Sequence, residues 1–215
     1  MKTFSEHLFL LSLGKEKIEI SYTKQEKAKA TLIICHPHSQ MGGTMNNKVV
    51  TTVMKAGQEL NFNTVRFNFR GVGQSSGAFS EGTGEAEDLL LVIDWAKNYF
   101  NSEEIILAGF SFGAFVALTA CQTYEPDALI LIAPPIHYPD FFRLSLPDKK
   151  NFLIVAKNDE ITDTKAILIW ADKKKFNEIL CISDASHFFH GKLLQIRDFI
   201  IQVLSINLES ENFHE

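Results

Sequence analysis

Ser111 stands within Gly109-Phe110-Ser111-Phe112-Gly113, between the apolar run Ile105 to Ala108 and a small-residue run, Phe112 to Cys121. A serine on a tight strand-to-helix turn is forced into strained backbone angles that expose its Oγ, and flanking glycines let strand and helix approach. The helix beginning there also turns unpaired N–H groups toward any negative charge that develops beside the hydroxyl. The plainer role for Ser111 is an ordinary helix cap. The residues downstream of the serine separate the two roles.

A serine hydroxyl is a weak nucleophile until a base takes its proton, and the base needs an acid to orient it. With a serine on such a turn, the partners come later in the chain in the order acid, then histidine. Downstream, the apolar run Phe152 to Ala156 leads into Lys157-Asn158-Asp159-Glu160, and Glu178 to Ile182 leads into Asp184-Ala185-Ser186-His187. Both fall at the carboxyl ends of strands, where an open α/β sheet gathers its functional groups. Asp159 is the preferred acid, because it leaves its strand soonest while still allowing a turn. Glu160 and Asp163 compete for that role. His187 is the preferred base, with His190 as its competitor. A surface histidine capping the last helix is the plainer role for His187.

An oxyanion needs backbone donors. Phe112, next to the serine, supplies one. The other belongs to the segment His36-Pro37-His38-Ser39-Gln40-Met41-Gly42-Gly43. Pro37 has no N–H, which leaves His38 or Ser39.

Two other chemistries compete for these residues. His36 and His38 could join His187 or His190 around a metal, but no Glu-x-x-His or Cys pair reinforces them, so no metal is expected. Gly71-Val72-Gly73-Gln74-Ser75-Ser76-Gly77 comes after a strand as a dinucleotide loop does. Such a loop must start its helix within the glycines, whereas Phe79 to Gly84 intervenes here and carries two further glycines. No acidic residue closes the next strand, Ile105-Ile106-Leu107-Ala108, and no nucleotide or other cofactor is expected.

The elements that position these residues alternate in type. Leu8 to Tyr22 predicts two strands meeting at a turn around Gly14, with polar and apolar positions alternating from Lys17 to Tyr22. Further strands are expected at Thr31–Cys35, Thr64–Phe69, Ile105–Ala108, Ala128–Ile132, Phe152–Ala156 and Glu178–Ile182. Helices are expected near Asn47–Leu60, Glu85–Tyr99, Phe112–Cys121, Thr164–Lys174 and His187–Leu204. Strict alternation demands crossover connections, hence a mainly parallel sheet covered on both faces, and the continuous apolar strands agree. The first two strands would form an antiparallel hairpin at one edge. With no repeat or linker, residues 1–215 read as a single α/β domain, with a disordered tail from Glu209 to Glu215.

Bulk properties narrow the partners. A chain of 215 residues with 46% hydrophobic and 22% charged residues folds without disulfides or metals. A net charge of −5 and a pI near 5.8 leave no basic excess for nucleic acid. Lys173 to Lys175, beside Asp172, read as a solvated helix end. Cys35, Cys121 and Cys181 sit in apolar runs, odd in number, as buried thiols of a reducing compartment do. No run approaches the roughly 20 apolar residues of a membrane span, and the opening lacks a cleavage site, so a cytoplasmic location is expected.

Taken in order, Cys35-His36-Pro37-His38, Gly42-Gly43-Thr44-Met45-Asn46-Asn47-Lys48-Val49-Val50, Arg66-Phe67-Asn68-Phe69-Arg70-Gly71-Val72-Gly73, Gly109-Phe110-Ser111-Phe112-Gly113 and His187-Phe188-Phe189-His190-Gly191 resemble a group of small bacterial α/β-hydrolases. The group is related to the dienelactone hydrolase-like and carboxylesterase-like proteins, and the resemblance spans essentially the whole chain. It implies the α/β-hydrolase fold without a large cap domain, a triad of Ser111, Asp159 and His187, and a structural role for the Gly71 to Gly77 loop. Two departures are visible. Dienelactone hydrolases proper use a cysteine nucleophile, and the glycine often found before the acidic turn is replaced by Ala156-Lys157.

The expected reaction is attack of Ser111 on an ester, thioester or related acyl bond of a small molecule, through an acyl-enzyme. A peptidase or acyltransferase would use the same residues. Ala133 to Pro147 is the only segment long enough to overhang the site, so Ile136, Tyr138, Phe141 and Phe142 are the candidate apolar wall for the acyl group. The alternative from another class is a non-catalytic module of the same fold that binds a ligand or partner.

Overall fold

The computed structural model describes residues 4–13, 16–138 and 140–209. The Gly14 turn and residues 210–215 of the tail lie outside them, while Glu209 ends a helix. Among the described residues, eight strands form one sheet in the order β1-β2-β4-β3-β5-β6-β7-β8. They are β1 (Glu6–Leu13), β2 (Glu16–Thr23), β3 (Thr31–Cys35), β4 (Asn63–Phe67), β5 (Ile105–Phe110), β6 (Ala128–Ile132), β7 (Lys150–Ala156) and β8 (Glu178–Ile182). The β1–β2 and β2–β4 pairs are antiparallel, and every other pair is parallel. β1 and β2 pair from Glu6↔Thr23 to Leu13↔Glu16, the edge hairpin that the alternating pattern predicts.

The helices are α1 (Lys48–Glu59), α2 (Thr83–Phe100), α3 (Phe112–Ala120), α4 (Thr164–Asp172) and α5 (Leu193–Glu209). Side chains alternate across a strand, so each apolar strand feeds two cores. Ile33, Leu107, Leu129 and Leu153 pack with α2, α3 and α4. Their neighbours Leu32, Ile106, Ile130 and Ile154 pack with α1 and α5 on the opposite face. No helix among the described residues is long and apolar enough to cross a membrane.

Several element ends shift by about two residues from the sequence expectation, and two helices begin elsewhere than expected for identifiable reasons. The last helix begins at Leu193 and not at His187. Phe189 (φ 53°) and Gly191 (φ 71°) take left-handed backbone angles, which a helix does not accommodate. The buried Phe189 pins the intervening turn to the α1/α5 core. The second helix begins at Thr83, two residues early, with Gly84 in its first turn. A Cβ at Gly84 would collide with the Arg70 guanidinium. Arg70 in turn donates to both carboxylate oxygens of the buried Asp88, at 2.7 and 2.8 Å, locking α2 to the loop after β4.

That loop, Gly71 to Gly77, is tied down and stops short of the helix. Glu19 of β2 accepts from Asn68 Nδ2 and the Gln74 N–H, at 2.7 and 2.8 Å, and Ser75 Oγ donates to Asn68 O. The loop thus buttresses the sheet, and the α2 N-terminus lies six residues beyond its last glycine.

Candidate active site

Ser111 links β5 to α3 with φ 54° and ψ −121°, outside the regions that non-glycine residues ordinarily occupy. Gly109 and Gly113 explain how the turn is possible. A Cβ on Gly109 would strike the Gly113 backbone, and one on Gly113 would strike the Cys35 and His36 backbone at the end of β3. The Ser111 N–H donates to Ile132 O at 2.8 Å, which anchors the turn to β6.

Three loops meet at this edge. Ser111 Oγ lies 3.0 Å from His187 Nε2, and His187 Nδ1 lies 2.8 and 3.0 Å from the two carboxylate oxygens of Asp159. Asp159 and His187 side chains are almost wholly buried. Asp159 Oδ1 also accepts from the Ile161 and Thr162 N–H groups, at 2.9 and 2.8 Å. Burial pushes the Asp159 carboxyl up, but the hydrogen bonds from His187, Thr162 and Ile161 and the His187 charge together hold it below the usual carboxylate value.

The competing residues are occupied elsewhere. Glu160 accepts the His187 backbone N–H at 3.0 Å and so steadies the loop that carries the imidazole. Asp163 caps α4 through the Ala166 N–H. His190 is exposed, with its ring near Phe188.

The loop after β3 forms the opposite wall. His36 is buried, its Nε2 accepting the Phe69 N–H at 3.0 Å and its Nδ1 facing Pro37 O at 2.6 Å. One ring nitrogen is therefore an acceptor and the other a donor, and neither is available to a metal. Among the described residues, no group of three or more His, Cys, Asp or Glu side chains could hold a metal ion. Burial depresses the His36 pKa to about 4, against the opposing hydrogen bond to Pro37.

A histidine whose folded pKa lies below its unfolded value of 6.5 contributes stability that is complete above that value. The contribution is lost as pH falls from there toward the folded value. His36 should therefore give away on the order of 3 kcal/mol between pH 6.5 and 4. Urea midpoints over this range should fall more steeply in the parent than in His36→Gln, and equal slopes would contradict the assignment.

His38 packs its ring against Phe79 and Phe112, with centroids 4.8 and 4.9 Å away. Burial lowers its pKa, although the Glu85 charge opposes this. The stack holds the loop against the N-terminus of α3. Among the described residues, the Phe112 and His38 N–H groups have no protein acceptor. Pro37, His38, Ser111 and His187 line one cleft of about 210 Å³, whose lining side chains include neither Ser39 nor Phe112.

The candidate acyl wall falls apart by residue. Phe141 is fully buried against Trp170, with centroids 5.0 Å apart, so it belongs to the core and not to the cleft. Tyr138 stacks on Phe115 at 4.8 Å and does not line the cleft either. Ile136 and Phe142 line a neighbouring hollow. The cleft walls are instead Met41, Gly42, Gly43, Ile161 and Phe188. Ile161 and Phe188 were not among the expected wall residues, although one lies two residues after Asp159 and the other adjoins His187. A larger hollow of about 710 Å³, lined by Lys24, Lys27, Asn63 and Phe100 among others, opens at the opposite edge of the sheet and contains none of the expected site residues.

The sheet order, the strained serine at the end of β5 and the polar residues gathered beside it define an α/β-hydrolase. The chain belongs to the α/β-hydrolase fold family, whose model matches residues 31–169. It is similar to an α/β serine hydrolase homologue from Coxiella burnetii, with 37% identity and a TM-score of 0.87 over 95% of this chain and 100% of the other. It is also similar to an α/β serine hydrolase without a lid from Xanthomonas campestris, with 36% identity and a TM-score of 0.85 over 93% and 94% of the two chains. An uncharacterized protein of Rickettsia prowazekii is 32% identical over 93% of this chain and 90% of its own length.

Proposed function

We propose that the protein is a serine hydrolase that cleaves an ester, thioester or related acyl bond of a small molecule. The observation that carries this reading is the unbroken chain of short contacts Asp159–His187–Ser111, ending on a serine at positive φ. A binding module has no use for that strain.

In this reading His187 holds its Nδ1–H toward Asp159, so that Nε2 presents a lone pair to the Ser111 hydroxyl. Ser111 Oγ attacks the acyl carbonyl while Nε2 takes its proton. The resulting oxyanion lies beside the Phe112 N–H, first in α3, and the His38 N–H from the facing loop. The imidazolium, stabilised by the Asp159 carboxylate, then gives its proton to the leaving oxygen or sulfur. Water repeats the sequence on the acyl-enzyme and restores Ser111.

A fluorophosphonate probe tests the nucleophile directly. One label per chain is expected on the parent and none on Ser111→Ala. The substitution should cost about 1 kcal/mol at most in stability, since only a hydroxyl is lost. Undiminished labelling of a folded Ser111→Ala protein would remove Ser111 from the mechanism.

A further inference from the structure

The cleft over Ser111 does not end at its own walls. At about 210 Å³ it is smaller than the roughly 300–1,000 Å³ pockets that enclose a drug-sized ligand, so it holds only a short group. Ile161 lines this cleft and also a second, open hollow of about 440 Å³, whose other apolar walls are Ile136 and Phe142.

His137 and Asp163 complete the second hollow, but the large exposed side chains of both hollows are apolar. Met41, Phe142, Ile161 and Phe188 are 39–76% exposed, and all four line one hollow or the other. Exposed large apolar side chains that converge on one place mark a binding surface, whereas scattered ones need no explanation.

We infer that the two hollows form one continuous groove for a linear alkyl chain of the substrate, with Ile161 as the ridge the chain crosses and Phe142 as its far wall. This deepens the serine-hydrolase reading and rests on it. Ile161 is well placed for the task because the turn that directs its N–H to Asp159 also fixes its backbone between the two hollows. Chain length is thereby read on the same turn that carries the proposed acid. The chemistry names an ester with a medium-length unbranched chain, on either the acyl or the alcohol side.

The test compares kcat/KM for p-nitrophenyl butanoate and octanoate, and for n-butyl and n-octyl acetate, all kept below aggregation. A fully buried methylene is worth roughly fourfold and a half-covered one about twofold, so four added half-covered methylenes should give about a fifteenfold rise in one series. The series that rises assigns the chain to the acyl or the alcohol side. Phe142→Ser and Ile161→Ser should each bring that ratio toward one. Ile169→Ser, at a more exposed apolar position on α4 that lines neither hollow, should keep it.

A flat or falling profile in both series overturns the inference, as does a ratio unchanged in Phe142→Ser and Ile161→Ser. Binding of butanoate and octanoate, and of n-butanol and n-octanol, to the Ser111→Ala protein, tracked by methyl NMR, separates the groove from catalysis. Octanoate preference that disappears with Phe142→Ser supports the groove with the chain on the acyl side, n-octanol preference over n-butanol that disappears with it supports the groove on the alcohol side, and equal binding within both pairs refutes it. Failure of the serine-hydrolase reading would show instead as absent fluorophosphonate labelling.

Discussion

Asp159→Asn is expected to lower kcat by about four orders of magnitude while leaving the protein folded. The carboxylate faces His187 Nδ1 with both oxygens and is held from behind by two backbone N–H groups. An amide keeps the shape and can keep those two bonds. Its NH2 group, however, would present a donor to Nδ1, favouring the tautomer that carries its proton on Nε2. A protonated Nε2 cannot accept the Ser111 proton.

The neighbouring carboxylates serve as controls. Glu160→Gln retains an acceptor for the His187 backbone N–H, and Asp163→Asn retains a helix cap. Each should cost less than about tenfold. A larger loss from either of these than from Asp159→Asn would assign the acid elsewhere. Stability against pH gives a second readout. Because Asp159 is held below the usual carboxylate value, its contribution is complete above the unfolded value of about 4 and disappears as pH falls through the folded one. Asp159→Asn should remove that contribution, so its urea midpoint should fall less steeply than the parent's below about pH 4.

The largest expected effect belongs to His187→Ala, at about six orders of magnitude in kcat. The imidazole bridges two groups that otherwise do not meet. Ser111 Oγ would lose its proton acceptor, and Asp159 would be left as a buried carboxylate without its side-chain partner. The second loss should also destabilise the protein by about 1–3 kcal/mol, so assays belong well below its melting temperature. His190→Ala provides the contrast. That side chain is exposed and makes no hydrogen bond to Ser111, and its replacement should leave kcat/KM within about twofold. A large loss in His190→Ala with little in His187→Ala would mean that the base had been misassigned by three residues.

Much of this architecture was legible in the residues. Strand and helix patterns alternate strictly enough to require a parallel sheet, and an apolar run such as Ala128 to Ile132 survives only where both faces are covered. The serine motif was legible because its glycines answer a steric demand that no other residue meets. The order of serine, acid and histidine placed three residues at three strand ends, and the structure brings those side chains within hydrogen-bonding distance of one another.

Other features depended on direction, which a one-dimensional pattern does not encode. Asp159, Glu160 and Asp163 lie within five residues and have the same chemistry, and only the path of the turn after β7 sends one to an imidazole, one to a backbone N–H and one to a helix end. Phe141 and Phe142 are adjacent and identical in type, yet one is fully buried on Trp170 and the other lies exposed on an open hollow. The periodicity from His187 to Leu204 suited a helix throughout, but burial of Phe189 required a left-handed turn that left His187 on a loop.

Composition and local pattern therefore determined the fold class and the chain order of the reactive groups, because both arise from short-range sterics and from the period of apolar residues. The pattern already favoured Asp159 among the like carboxylates, tertiary structure gives each of the three its own partner, and the walls of the cleft came from tertiary structure alone. Met41, Ser111, Ile161 and Phe188 are far apart in sequence, and each reaches the cleft by a different loop. The packing of those loops against one another decides which side chains share a surface, and that packing has no signature within any one segment.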